Sequence, residues 1–180
     1  MISIEDIHRD LRSAMNGVAA TAIRSSGMGY HVTYGVELPR LRQIAAGYPR
    51  DRKLALQLWQ TEVREMRIMA TMLYPHEEFD TNMADVWISS LTTSQAELAG
   101  HLAMNLLANI SGAAELAFHL IADDRTMHQL CGFMTITRLL MAGAQLQADA
   151  EAELRDQAEA ALHDTYLPLR QAANNTLLRL

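Results

Sequence analysis

The feature that most restricts this chain is a rhythm. Ala70 in "REMRIMATML", Ala103 in "ELAGHLAMNLL" and Ile136 in "GFMTITRLL" stand 33 residues apart, and Ala173 in "LRQAANNTLL" follows 37 residues later. Leu73, Leu106 and Leu139 fall at matching places. A short helix, a turn and a longer helix, recurring at roughly 35–45 residues, is the layout of an α-solenoid, in which each helix pair buries its apolar stripe on the next. An ordinary helical bundle shows the same stripes but has no need of the period.

The residues between these marks support helices throughout. Apolar residues make up 49% of the chain and aromatics only 6%, with Leu, Ala and Met in excess, a balance that favours helix over strand. Residues 4–23 place Ile4, Ile7, Leu11, Met15, Val18 and Ala22 on one stripe, started by Ser3 and Asp6 at capping distance. "SSGMGYHVTYG" ends it, and Pro39 in "ELPRLRQIAAGY" suits the first turn of a short helix. "RKLALQLWQ" and "TEVREMRIMATMLY" predict two helices, the second starting near Thr61. "TNMADVWISSL" predicts a short helix and "TTSQAELAGHLAMNLLANI" a longer one, with Ser94 and Glu97 as its capping box. Two further pairs complete the chain, and no stretch asks for a strand. The expectation is one all-α domain over residues 1–180, an α-α superhelix of the HEAT-like kind with about nine to eleven helices.

Charge is unevenly spread. Residues 1–70 carry ten basic and seven acidic side chains, and residues 71–180 carry five and fourteen. Net charge is −6, which disfavours indiscriminate nucleic-acid binding, but leaves room for a basic face in the first half. Cys131 is the single cysteine, so no internal disulfide forms and a reducing, cytoplasmic setting is expected. No apolar run has the length of a membrane span. The seven histidines make no i, i+4 pair, so no metal and no cofactor is expected.

"YGVELPRLRQIA" followed by "LALQLWQTEVREMRIMATML" resembles the DNA alkylation repair family, the HEAT-like alkylpurine DNA glycosylases. Gly35, Val36, Pro39, Leu41, Arg42, Leu58, Trp59, Glu65, Arg67 and Ala70 stand where that family's pattern wants them. The likeness is strongest over these forty or so residues and thins to helix layout beyond them. It implies duplex DNA held on a basic face, and excision of cationic alkylated purines. A Trp and an Asp four residues later would sit against the lesion. An alkylated purine is already a cationic leaving group, so a carboxylate that stabilises the developing sugar cation is the main chemical need.

The sequence departs from that pattern where the chemistry lies. Aligning the family's motif on Asp85 in "FDTNMADVWISSL" puts Ala84 at the Trp position and Ile88 at the Asp position, with Trp87 one place off. Gly132 and Phe133 stand where basic residues are expected, and Arg138 lies well down its helix. In a different register Asp80 or Asp85 would take over, and Asp85 is the catalytic candidate retained. Arg40, Arg42, Arg50, Arg52, Lys53 and Trp87 are the candidate DNA contacts. Packing is the plainer reading of Trp59 and Trp87, and an arginine pair or a helix cap that of Glu65. Three functions follow: a DNA- or partner-binding scaffold with weak or no base excision, an active alkylpurine glycosylase with a rearranged site, and a HEAT-like protein-interaction scaffold favoured by the acidic "QADAEAELRDQAEAALHD".

Overall fold

The computed structural model describes residues 3–180. Among them are eleven α-helices, three single 3-10 turns and one isolated parallel bridge, Val32 to Val63. Contacts divide them into two compact units, residues 3–79 and 80–180.

The first unit holds α1 (Ile4–Ser13), α2 (Gly17–Ser25), α3 (Leu38–Ala46), α4 (Arg52–Trp59) and α5 (Arg64–Leu73), then a 3-10 turn, His76–Glu78. Ser3 and Asp6 form the expected reciprocal cap on α1. The expected stripe over 4–23 is two helices instead of one. Asn16 breaks it, because its amide donates to Tyr34 O at 2.9 Å while its side chain accepts from Ala19 N and starts α2. The stripe therefore buries Ile7 and Leu11 but leaves Met15 and Val18 exposed. Pro39 sits in the first turn of α3, as expected. The helix foreseen from Thr61 begins three residues later, after Val63 pairs with Val32 and Arg64 N donates to Val32 O.

A single carboxylate ties this unit together. Glu65 on α5 is wholly buried. Its Oε1 accepts from Thr33 Oγ1 at 2.7 Å, Gly35 N at 3.0 Å and Val36 N at 3.3 Å, and its Oε2 accepts from Tyr34 N at 3.1 Å. Arg64 Nη1 adds a charged partner at 3.2 Å. Four consecutive residues of an irregular loop thus spend their donors on one side chain, which answers the problem of a buried loop backbone. Gly35 makes the approach possible. Its φ is +69°, and a Cβ there would lie 2.3 Å from Asn16 O and 2.4 Å from Ala20 N. Beside this hub the Arg67 guanidinium lies 4.5 Å from the centre of the Trp59 ring, and burial lowers its pKa.

The second unit holds α6 (Thr81–Ser89), α7 (Ala96–Asn105), α8 (Ala113–Ile121), α9 (Thr126–Met141), α10 (Ala148–Ala161) and α11 (Leu167–Leu177). The cap before α7 is Thr92 with Gln95, around a 3-10 turn, rather than the expected Ser94 with Glu97. Ser94 instead spends its hydroxyl on Thr92 Oγ1 at 2.9 Å. Helix α9 is the spine, packed against α6, α7, α8 and α11. It approaches α8 closely at Gly132, where a Cβ would lie 2.8 Å from Ile121 N and 2.9 Å from Ala117 O. Close backbone approach thus accounts for a glycine at a position where the family resemblance asks for a basic side chain. The sequence rhythm has a direct counterpart: Ala70, Ala103, Ile136 and Ala173 fall on α5, α7, α9 and α11, and each is at most 1% exposed. These helices are every second helix along the chain, so the period marks a core-facing position that recurs at that interval.

Candidate nucleic-acid interface

The basic run around residue 50 is arranged by the end of one helix and the start of the next. Helix α3 stops at Gly47, and Asp51 caps α4 by accepting from Leu54 N at 2.6 Å. That cap puts Arg50, Arg52 and Lys53 at the head of α4, all exposed. The three line one depression of about 660 Å³ together with Asp51, Gln57, Pro75 and Glu78. None of the three has a carboxylate partner among the described residues; Arg50 Nη1 meets His76 Nδ1 at 2.8 Å.

The other two arginines of the predicted set stand apart from these. Arg40 is exposed on α3, donates to Gln43 Oε1 at 3.2 Å, and lines a different depression of about 510 Å³ with Asp6, Asp10 and Tyr48. Tyr48 Oη donates to Asp10 Oδ2 at 2.6 Å, and burial with that hydrogen bond pushes its pKa up to about 12. The two aspartates offset the field of Arg40. Arg42 is exposed two residues further on, about 200° round the helix from Arg40.

Asp85 lies on the exposed side of α6, in a cluster that sequence reading did not anticipate. Its Oδ1 accepts from Arg125 Nη2 and from His128 Nε2, each at 2.9 Å. Arg125 also grips Asp123 with two parallel bonds, at 2.9 and 2.7 Å, and reaches Ser89 Oγ at 3.2 Å. His128 is enclosed, its side chain 2% exposed, and its Nδ1 has no partner among the described residues. A carboxylate oxygen only accepts, so the bond to Asp85 is donated by the His128 Nε2–H. The bonds from His128 and then Arg125 lower the Asp85 pKa, and the Arg125 grip holds Asp123 well below the usual carboxylate range. The partners lie some forty residues from Asp85 in sequence, so no spacing rule could have found them.

This arrangement has a pH consequence. Both aspartates titrate below their ordinary value of 3.8, so their pairing contributes stability that is fully present above that value and is lost as pH falls through the lower folded-state value. An Asp85→Asn/Asp123→Asn variant should lose less Tm than wild type between roughly pH 5 and pH 2. Parallel melting curves across that range check it, and equal losses in the two proteins would show that the cluster carries no such linkage.

Trp87 contributes nothing to a surface. It is 1% exposed, and Ala84 and Ile88 beside it are 0% exposed. The register that aligns the family's Trp and Asp with Ala84 and Ile88 therefore runs along the inward side of α6. The outward side presents Thr81, Asn82, Asp85, Val86 and Ser89, so Trp87 as a DNA contact gives way to Trp87 as core.

The model of the family described as DNA alkylation repair enzyme matches residues 7–179. The chain belongs to that family. A solved structure described as a new family of proteins related to the HEAT-like repeat DNA glycosylases, with affinity for branched DNA structures, superposes with a TM-score of 0.84. It is 16% identical, and the match covers 99% of this chain and 75% of that one. The fold is thus the HEAT-like repeat fold of these proteins. No curated protein sequence matches the chain. Of the family positions, Glu65, Gly35 and Trp59 are buried supports. Among the described residues, no helix is long and apolar enough to cross a membrane.

Proposed function

We propose that this member of the DNA alkylation repair family binds DNA through its phosphate backbone and releases alkylated bases weakly or not at all. The observation that carries the reading is the head of α4, where Arg50, Arg52 and Lys53 line one depression, outnumber its two carboxylates, Asp51 and Glu78, and form no ion pair with either. Such a cluster suits phosphates, which want charge and several donors but no particular sequence. The affinity of the solved relative for branched DNA points the same way. The excision half of the proposal rests on Asp85, whose carboxylate already accepts hydrogen bonds from Arg125 and His128.

Changing Arg50, Arg52 and Lys53 together to Ala tests the first half. Every phosphate that the protein no longer neutralises should reduce the slope of log K against log salt by about 0.9. Affinity for duplex and branched DNA should fall with it, measured by fluorescence anisotropy over a salt series. Equal affinity and equal slope for the triple variant and wild type would place the DNA-binding surface elsewhere.

A further inference from the structure

One side-chain contact at the head of α4 is set by the backbone on both sides of it. Asp51 N donates to Leu73 O at 2.9 Å, which fastens the start of α4 to the end of α5. Beyond α5 the chain enters the 3-10 turn His76–Glu78, closed by Glu78 N to Pro75 O at 3.0 Å and by Phe79 N to His76 O at 3.2 Å. Phe79 anchors that turn: it is buried and meets the Tyr74 ring edge-on, with the centres 5.0 Å apart. Residues 50 and 76 are therefore held side by side on two fixed segments, and their side chains meet, Arg50 Nη1 to His76 Nδ1 at 2.8 Å.

That contact fixes a protonation state. A guanidinium has donors only, so His76 Nδ1 must accept. The ring is then neutral, with its hydrogen on Nε2, and Glu77 Oε1 lies 3.2 Å from that nitrogen. Arg50 and Glu77 are the charged groups that touch the ring, while Asp51, Arg52, Lys53 and Glu78 line the depression beside it. Helix α5 brings no charge to this end, since residues 68–73 carry none. A protonated ring has a hydrogen on both nitrogens and cannot accept, so it must release Arg50.

We infer that His76 is a proton-controlled catch on Arg50. While the ring is neutral, Arg50 spends an Nη1 hydrogen on it. Histidine takes up its proton between about pH 5 and pH 8. When His76 does so, the acceptor is lost and two cations stand at contact distance, which repel. Arg50 then swings clear, and the head of α4 presents four cations, Arg50, Arg52, Lys53 and His76, where it presented three. Attraction for a phosphate strengthens as pH falls through this window and weakens as pH rises. The Asp85 and Asp123 carboxylates titrate below 3.8 and take no part in it. The regulatory consequence rests on the DNA-binding reading above. The catch itself is a property of the free protein, so the two can fail separately.

The test uses the full chain labelled with nitrogen-15, with Arg50 Nε and the His76 ring assigned through Arg50→Lys and His76→Gln. In the free protein, between about pH 8 and pH 5.5, the Arg50 Nε signal should move in step with the His76 ring nitrogens. In His76→Gln it should stand still, because an amide oxygen accepts at every pH in that range. Duplex DNA is then titrated by fluorescence anisotropy at constant salt. Wild-type affinity should rise about fivefold over the same interval, and the slope of log K against log salt should steepen by up to about 0.9, for one more phosphate neutralised. His76→Gln should show less than about half that gain. It keeps the remaining histidines, so the comparison isolates His76. Equal gains in the two proteins, or an Arg50 signal that ignores the His76 ring, would overturn the inference. If the Arg50 signal follows the ring but the Arg50, Arg52 and Lys53 triple variant binds DNA like wild type, the catch stands and the DNA-binding reading has failed.

Discussion

Replacing Glu65 with alanine should cost about 3–5 kcal/mol, the scale for stripping one partner from a buried, hydrogen-bonded ion pair. The loss is not mainly that of the Arg64 attraction. It comes from leaving Thr33, Tyr34, Gly35 and Val36 with donors aimed at an empty site, and Arg64, only 8% exposed, without its carboxylate. For a chain of this length each kcal/mol moves Tm by about 2–4 °C, so the midpoint should fall by roughly 6–20 °C. Glu65→Gln should also destabilise, because the amide keeps the shape but turns one acceptor into a donor facing donors. Hydrogen exchange localises the effect: the Tyr34, Gly35 and Val36 amides should lose protection before those of α5 do. A Glu65→Ala protein that melts within a degree or two of wild type, with those amides still protected, would contradict the account.

The second large effect concerns chemistry. Single-turnover release of 7-methylguanine or 3-methyladenine from alkylated duplex DNA should be absent, or about 10²–10³-fold below what a well-placed carboxylate supports. Asp80 caps α6 by accepting from Met83 N at 2.8 Å, and Asp85 shares its charge with Arg125 and His128. Neither is a free anion waiting for an oxocarbenium ion. Installing the family's residues at Ala84 and Ile88 is no rescue, because both positions are fully buried and an aspartate there would unfold the helix before it catalysed anything. The assay compares wild type with Asp80→Asn and Asp85→Asn. Robust release by wild type, abolished by Asp85→Asn, would make Asp85 catalytic after all.

Much of the fold was legible because helices announce themselves locally. The Ser3–Asp6 cap, Pro39 in a first turn and the recurring Ala70, Ala103, Ile136 and Ala173 are short-range signals, and each has its counterpart in the structure. The misread stripe over residues 4–23 failed for a long-range reason. Asn16 is fixed by Tyr34, eighteen residues away, and tertiary pairing overrode a good helical period. The candidate site divides in the same way. Arg50, Arg52 and Lys53 could be grouped from sequence because they are neighbours in it. The ties of Asp85 to Arg125 and His128 depend on how α6 packs against α9, and no local pattern encodes that. Trp87 shows the opposite hazard: an aromatic in a suggestive place that the core had claimed.

The enclosure of both tryptophans has a practical consequence. The chain has two, Trp59 in residues 3–79 and Trp87 in residues 80–180, so each compact unit contains one built-in fluorophore. They also differ in surroundings, since Trp59 carries a stacked guanidinium from Arg67. Single-tryptophan proteins made by Trp59→Phe or Trp87→Phe would then follow each half of the chain with its own emission. Coincident transitions would mark the repeats as one cooperative array, and separated ones would give the order in which they come apart.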